Sequence, residues 1–140
     1  MYDELRELNE IIKKKQLRLD ELRAAAVSIS IPWDQKVQSS SDDRLANLMC
    51  KIIILENEID GLIDDFADLK AQAKQEIFTL PFDEWQDVMY LHYIEFKPME
   101  EVAEILSRGR KEPLTVGAAY MKNNRAIKFL KKMKKSQKFS

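Results

Sequence analysis

The chain is poor in the residues that interrupt helices. Its 140 residues include only three glycines and four prolines, against 34% charged residues. A composition with so few glycines and prolines and so many charged residues argues against β-sandwiches, β-barrels and glycine-rich nucleotide-binding loops, and it favours long helices. A length of 140 residues fits one domain, or one small domain with a helical extension. The sequence therefore predicts an all-α protein.

Cysteine and histidine are also scarce, which limits the chemistry available. Cys50 has no second cysteine for an internal disulfide, and His92 is the single histidine, so a catalytic dyad or a histidine-ligated metal site would lack partners. With no carboxylate or Cys/His cluster at metal-ligand spacing, we expect neither an enzyme nor a cofactor. The N-terminus MYDELRELNE is charged, and no run reaches the roughly 18 apolar residues of a membrane span. We expect a cytoplasmic protein without membrane contact.

A net charge of −1 conceals a strong asymmetry along the chain. Residues 1–70 hold ten Lys/Arg and fifteen Asp/Glu, residues 71–106 hold two and eight, and residues 107–140 hold eleven and one. A basic segment that follows an acidic body either binds a polyanion or pairs with the acidic part, in the same molecule or in another. Composition alone leaves both possibilities open.

Residues 1–80 have the apolar spacing of helices that pair. Steps of three and four predict a first helix at roughly 3–27, and the segment 28–41 is a connection in which Trp33 and Val37 pack down. Ser41 is the expected N-cap of a second helix, roughly 42–79. The partner of this helix is the first helix folded back as a hairpin, a second copy, or both. Its seven-residue repeat predicts a coiled-coil seam for oligomerisation, formed by Leu45, Leu48, Ile52, Leu55, Ile59, Leu62, Phe66 and Leu69.

Residues 81–140 predict a small helical domain. The segment PFDEWQDVMYLHYIEF suits a short, largely buried helix, and Pro98 begins the next helix. After the loop 107–114, Thr115 caps a last helix of about 116–133. The outer side of that helix is basic.

The motifs of this domain resemble a known DNA-binding pattern. The stretch YIEFKPMEEVAEIL, followed by the pattern T-V-x3-Y-x4-R-A-I-x2-L that begins at Thr115, resembles the sigma-factor region 4 type of helix-turn-helix. Over nearly all of residues 5–130 the chain resembles small phage-encoded regulators of the ArpU and RinA kind. The resemblance implies a terminal helix docked in the DNA major groove, and control of phage late genes or packaging functions inside a bacterial host cell.

The chain departs from that pattern at two places. Eight residues separate Leu106 from Thr115, where the pattern has about two, and a longer turn loosens the angle at which a recognition helix is presented. The front of the last helix carries Val116, Gly117 and Ala118, with Met121 following, where sigma-like proteins place long polar side chains. Whether the longer turn abolishes base-specific reading is left open.

The predicted partner is duplex DNA, bound by a homodimer that adds two half-sites. Lys122, Asn124 and Arg125 are the candidates for base edges, because base recognition needs hydrogen-bonding side chains. The cations are expected to hold phosphates. The full predicted DNA-binding set is Arg108, Arg110, Lys111, Thr115, Lys122, Asn124, Arg125, Lys128, Lys131 and Lys132.

An alternative from another class is a protein-interaction module or inhibitor. In it, the helix-turn-helix is a packing unit, and the acidic coiled coil binds RNA polymerase, a sigma factor or another host or phage protein. Independently of this alternative, the basic run KFLKKMKKSQKF is open to interpretation as a solvated, frayed terminus, as charge runs at chain ends usually are. The operator, the sign of regulation and the host are open from the sequence alone.

Overall fold

Helices make up almost the whole of the described chain. The computed structural model describes residues 1–30 and 38–138, and over these ranges it contains helices, turns and bends but no strand. The elements are α1 (Tyr2–Ser30), α2 (Gln38–Phe78), α3 (Asp83–Met89), a π-helical segment (Tyr90–Ile94), α4 (Met99–Ser107) and α5 (Val116–Lys138). The all-α prediction is therefore confirmed. No helix within the described ranges is long and apolar enough to cross a membrane.

The largest differences from the predicted helix bounds are at the start of α2 and the end of α5. α2 begins at Gln38, so Ser41 lies inside the helix and is not its N-cap. α5 continues to Lys138, about five residues beyond the predicted end at 133. In both cases each added residue gains one backbone hydrogen bond once a helix exists. At the end of α5 the added residues are mostly lysine, which is a good helix former. The predicted packing of Trp33 and Val37 lies outside the described residues.

The chain packs into two units. Unit 1 consists of Met1–Arg6 and Asp68–Ser140, and unit 2 consists of Glu7–Ala67. The predicted boundary at residue 80 lies within unit 1. One reason is that Glu76, near the end of α2, accepts a hydrogen bond from the Tyr2 hydroxyl at 2.9 Å and pairs with Lys134 of α5 at 3.0 Å.

In unit 2, the apolar faces of α1 and α2 pack against each other within one chain. Leu19 and Ala26 of α1 form a buried cluster with Ile52 and Ile59 of α2. On each helix these buried residues are seven positions apart, as the heptad repeat requires. Two ion pairs flank the cluster, Lys15–Glu58 at 2.6 Å and Arg23–Glu56 at 2.9 Å. The other six residues of the predicted seam are half-buried. Five lie in unit 2 and Leu69 lies in unit 1: Leu45, Leu48, Leu55, Leu62, Phe66 and Leu69.

In unit 1, one cluster of buried residues lies between α3, α4 and α5. Its fully or almost fully buried members are Val88, Met99, Val102, Ala103 and Ala119. Burying a side chain such as Met99 or Val102 contributes about 1.5–3 kcal/mol. Ala103 on α4 and Ala119 on α5 are small, which allows two helices to approach closely. The α4–α5 pair is therefore held by a compact apolar contact that fixes the placement of α5.

The chain turns sharply between the π-helical segment and α4. Phe96 takes the left-handed conformation, with φ of 59°, and the Lys97 N–H donates to the Leu91 carbonyl oxygen at 3.0 Å. A left-handed residue just after the last helical turn is a common feature of helix C-termini. Pro98 then precedes α4, whose first turn carries Glu100 and Glu101 at the positive end of the helix dipole.

Candidate nucleic-acid interface

The N-terminus of α5 is capped as the sequence predicts. The Ala118 N–H donates to the Thr115 hydroxyl at 3.1 Å, and the Ala119 N–H donates to the Thr115 carbonyl oxygen at 3.0 Å. A cap of this kind satisfies one of the free N–H groups of the first turn. Thr115 is exposed, but its described hydrogen bonds are to its own helix.

One face of α5 is buried and the opposite face is exposed. The buried side chains are Ala119, Asn123, Ala126 and Leu130, spaced by three or four residues. This spacing turns the basic residues between them toward solvent. The exposed cations, which we call the cationic face, are Arg125, Lys128, Lys131, Lys132 and Lys135.

The cationic face has no acidic counterpart in the described chain. None of its five side chains lies within 4.0 Å of a carboxylate oxygen among the described residues. Its members occur at steps of one, three and four residues along the helix, so the positive charge is continuous over about three helical turns. Such a surface attracts polyanions.

Two other predicted DNA-binding cations, Arg110 and Lys122, are paired with a carboxylate. Glu84 of α3 forms ion pairs with both Lys122 of α5 and Arg110 of the loop. Arg108 lies 4.0 Å from Glu104, but both side chains are more than 70% exposed, so this contact holds Arg108 only weakly. Lys111 is exposed and lines a shallow pocket with Glu84 and Arg110.

The lengthened turn between α4 and α5 is closed at its base. The Leu114 N–H donates to the Ser107 hydroxyl oxygen at 2.8 Å, and that hydroxyl lies 2.6 Å from the Ala103 carbonyl oxygen. Gly109 has φ of +78°, a conformation that glycine adopts readily. The turn is therefore anchored at both ends, although it is longer than in the pattern that the sequence resembles.

The two asparagines of α5 have different environments. Asn123 is 5% exposed, and its side-chain amide donates to the Tyr93 hydroxyl at 3.1 Å. Its Oδ1 has no hydrogen-bond partner among the residues that the structure describes. Asn124 is exposed, as are Gly117 and Met121 nearer the start of the helix. Among the three candidates for base edges, Asn124 and Arg125 thus face solvent, and Lys122 is paired with Glu84.

Sequence reasoning did not find an aromatic groove beside the cationic face. The groove has a volume of about 220 Å³ and is lined by Trp85 of α3 and by Arg125, Lys128, Phe129 and Lys132 of α5. The Trp85 and Phe129 rings are 6.3 Å apart, at 64°. The sequence contains one local indication of the groove, because Phe129 lies within the same turns of α5 as Arg125, Lys128 and Lys132. Its contact with Trp85, 44 positions away, needed the tertiary structure.

A second polar cluster in unit 1 surrounds the single histidine. Arg6 Nη2 lies 2.8 Å from both ring nitrogens of His92, and His92 Nδ1 lies 2.9 Å from the Lys97 carbonyl oxygen. Burial is the main cause of a lowered pKa of His92; the bond to Lys97 raises it in part, and the Arg6 charge lowers it. Burial, with the hydrogen bond to Glu76, raises the pKa of the nearby Tyr2.

Among the described residues, no group of three or more His, Cys, Asp or Glu side chains is placed to hold a metal ion. Comparison of the chain with protein-family models, with curated proteins and with solved structures finds no match in any of the three.

Proposed function

We propose that the protein is a phage-type transcription regulator that binds duplex DNA through a C-terminal helix-turn-helix formed by α4 and α5. The observation that carries this proposal is the cationic face of α5, which is exposed and has no carboxylate partner among the described residues. Lysine and arginine that neutralise phosphates supply most of the affinity of non-specific DNA binding.

The packing of α4 against α5 supports the same proposal. Val102 and Ala103 of α4 form one buried cluster with Ala119 of α5, so the two helices are rigidly joined. In a helix-turn-helix the first helix crosses the DNA backbone while the second enters the major groove. The anchored turn, with Ser107 bonded to Leu114, keeps the ends of α4 and α5 in a defined relation despite its length.

Within this proposal, the side chains of α5 contact either phosphates or base edges, and Arg125 can contact both. Arg125, Lys128, Lys131, Lys132 and Lys135 hold phosphates, and Arg125 and Asn124 are the side chains that reach base edges. Arginine to guanine and asparagine to adenine are the usual bidentate pairs. Because α5 offers few such side chains, sequence-independent binding dominates and base discrimination is modest.

The proposed active form is a dimer that associates through unit 2. Of the heptad seam, Ile52 and Ile59 are buried between α1 and α2. A second row, which includes Leu48, Leu55 and Leu62, is only half-buried, although Leu55 also packs against the α1–α2 cluster. A second α1–α2 pair would cover that row and form a four-helix arrangement. Two copies would then present two cationic faces to successive half-sites of the DNA.

The proposal is tested by the binding of random-sequence duplex DNA at several salt concentrations, with sequencing of the bound fraction. The double variant Arg125→Ala/Lys128→Ala should weaken binding at least about tenfold and make the salt dependence shallower, since each lost phosphate contact changes the slope by about 0.9. The matched control is Lys13→Ala/Lys14→Ala, which removes two exposed lysines from α1. Equal effects of the two double variants would refute α5 as the contact.

A second candidate function is a protein-interaction module that binds RNA polymerase, a sigma factor or another protein. It is favoured by the large apolar side chains that unit 2 exposes: Leu17 at 65%, Ile53 at 52% and Ile54 at 66%. Exposed apolar surface can mark a protein contact. A stoichiometric complex with purified RNA polymerase that persists after removal of residues 107–140, and is lost in Ile53→Ser/Ile54→Ser, would support this function.

A further inference from the structure

The aromatic groove on unit 1 combines aromatic surface with positive charge, and binding of duplex DNA does not need both. Trp85 and Phe129 supply flat apolar surface, and Arg125, Lys128 and Lys132 supply positive charge around it. Phe82, 56% exposed, extends the aromatic surface, because its ring lies 4.8 Å from that of Trp85 in an edge-to-face arrangement. A ligand that fills the groove therefore carries both negative charge and an accessible apolar or flat group.

We propose that this groove binds an unpaired base of single-stranded nucleic acid, with the adjoining phosphates held by Arg125, Lys128 and Lys132. The inference rests on the proposed function, in that it places nucleic acid on the cationic face of α5. It extends that function to a second kind of ligand, a nucleic-acid strand with unpaired nucleotides.

Base stacking explains why a paired strand is a poor occupant. In a duplex the faces of the bases are covered by their neighbours, and only their edges are open in the grooves. A single strand exposes base faces, which stack on aromatic side chains with little dependence on sequence. Aromatic rings beside a row of cations are the combination that proteins use for single strands. The groove of about 220 Å³ is also small, as expected for one flat group instead of a folded partner.

The extent of the positive charge favours nucleic acid over an acidic peptide. The cations do not stop at the groove: Lys131 and Lys135 continue the cationic face beyond it. From residue 125 to residue 135 the helix rises about 15 Å. A nucleic-acid strand presents several regularly spaced phosphates over that distance. None of the residues that line the groove is acidic, so nothing in its wall repels a phosphate.

The fluorescence of Trp85, which lines the groove, can report binding of a ligand there. The chain has two tryptophans, so Trp33→Phe leaves Trp85 as the one tryptophan. A twelve-residue thymidine oligonucleotide should quench and shift the fluorescence of Trp85 as it binds. Inorganic polyphosphate of similar charge should bind without that change, because it carries no base. Quenching of equal size by polyphosphate would overturn the proposal, as would binding of the oligonucleotide without any change in fluorescence.

A matched pair of variants tests the stacking itself. Phe129→Leu keeps an apolar side chain in the groove but removes the ring, and it should weaken binding of the thymidine oligonucleotide about tenfold, the size expected for one lost stacking contact. Binding of duplex DNA should change by less than about twofold. The control is Tyr120→Leu, which removes an exposed ring of α5 outside the groove and should leave both affinities unchanged.

The outcomes separate this inference from the proposed function. If duplex DNA binds but Phe129→Leu affects neither ligand, the groove assignment alone is wrong. If neither nucleic acid binds, the proposed function is also wrong. An acidic peptide with one leucine that quenches Trp85 at lower concentration than the oligonucleotide would overturn the inference in favour of a protein ligand. Should Phe129→Leu unfold the chain, the quenching measurement on the Trp33→Phe protein still decides the question.

Discussion

Lys122 of α5 forms an ion pair with Glu84 of α3. The same carboxylate pairs with Arg110, in the turn between α4 and α5. One acid thus holds two of the cations that the sequence assigns to DNA contact, and it joins α3, the turn and α5. Because a carboxylate lowers the positive potential around it, Glu84 reduces the attraction of this part of unit 1 for phosphates.

Replacing Glu84 with Gln should therefore increase the affinity for duplex DNA. The change removes one negative charge and frees Lys122 and Arg110, so we expect binding about three- to tenfold tighter, with a steeper salt dependence. Fluorescence anisotropy at several salt concentrations measures both quantities. The control is Glu95→Gln, which changes the net charge equally at an exposed residue outside the described ion pairs. If both variants tighten binding equally, the effect is one of total charge, and the role assigned to Glu84 is wrong.

The core of unit 1 offers a second test with a close control. Met99 is 1% exposed and belongs to the cluster that joins α4 to α5, whereas Met121 on α5 is 53% exposed. Met99→Ala should lower the free energy of unfolding by about 2–5 kcal/mol, the usual cost of such a cavity. Met121→Ala should change it by less than about 0.5 kcal/mol. Urea denaturation followed by circular dichroism gives both values; similar losses in the two variants would contradict the packing described for α4 and α5.

The existence and order of the helices could be predicted from the sequence because the signals for them are local. Apolar spacing identified the five α-helices of the described residues, and the predicted cap at Thr115 is confirmed by its bond to the Ala118 N–H. The predicted start of α2 just after Ser41 is wrong. Serine is a common N-cap residue, but Ser41 lies inside a helix that begins at Gln38. Capping residues indicate where a helix can begin, while packing further along decides where it does begin.

The pairing of charges in the site could not be predicted in the same way. Lys122 and Glu84 are 38 positions apart, and Trp85 and Phe129 are 44 apart. Long side chains meet according to where the helices are placed, and neither composition nor periodicity gives that placement. The sequence predicted which residues carry positive charge; only the structure separates the exposed Arg125 and Lys128 from the paired Lys122.

Two adjacent isoleucines test the packing of unit 2. Ile52 is 5% exposed in the cluster between α1 and α2, and Ile53 is 52% exposed. Ile52→Ala should destabilise the chain by about 2–5 kcal/mol, and Ile53→Ala by less than about 1 kcal/mol. The measurement is thermal or urea unfolding at a fixed protein concentration. A larger loss for Ile53→Ala would mean that the buried row of the heptad seam is wrongly assigned.

The proposed dimer is tested at the half-buried row. Leu55→Asp places a charge in that row and should convert the dimer to a monomer, because a buried carboxylate without a partner is strongly unfavourable. Ile54→Asp is the control, since its side chain is 66% exposed. Sedimentation equilibrium reports the mass, and circular dichroism shows whether the helices persist. A wild-type chain that is monomeric at all concentrations, or a dimer that survives Leu55→Asp but not Ile54→Asp, would contradict the seam as the interface.

The contact between Arg6 and His92 predicts how stability changes with pH. The geometry fits a neutral ring whose Nδ1–H donates to the Lys97 carbonyl oxygen while Nε2 accepts from Arg6. A protonated ring would have no acceptor for Arg6 and would place two positive charges together. Burial and Arg6 accordingly lower the pKa of His92, outweighing the opposing effects of Lys97 and Glu100.

Because the folded protein binds this proton less readily than the unfolded chain, acid favours unfolding. At pH above about 6.5, the ordinary pKa of histidine, both states are neutral at His92 and the contribution is constant. As the pH falls below about 6.5, the unfolded chain takes up the proton first and the free energy of unfolding decreases. Urea denaturation at pH 7.5, 6.5 and 5.5 should show this decrease in the wild type and a flatter profile in His92→Gln, which cannot titrate. Since the chain has one histidine, parallel profiles for the two proteins would exclude His92 as the source.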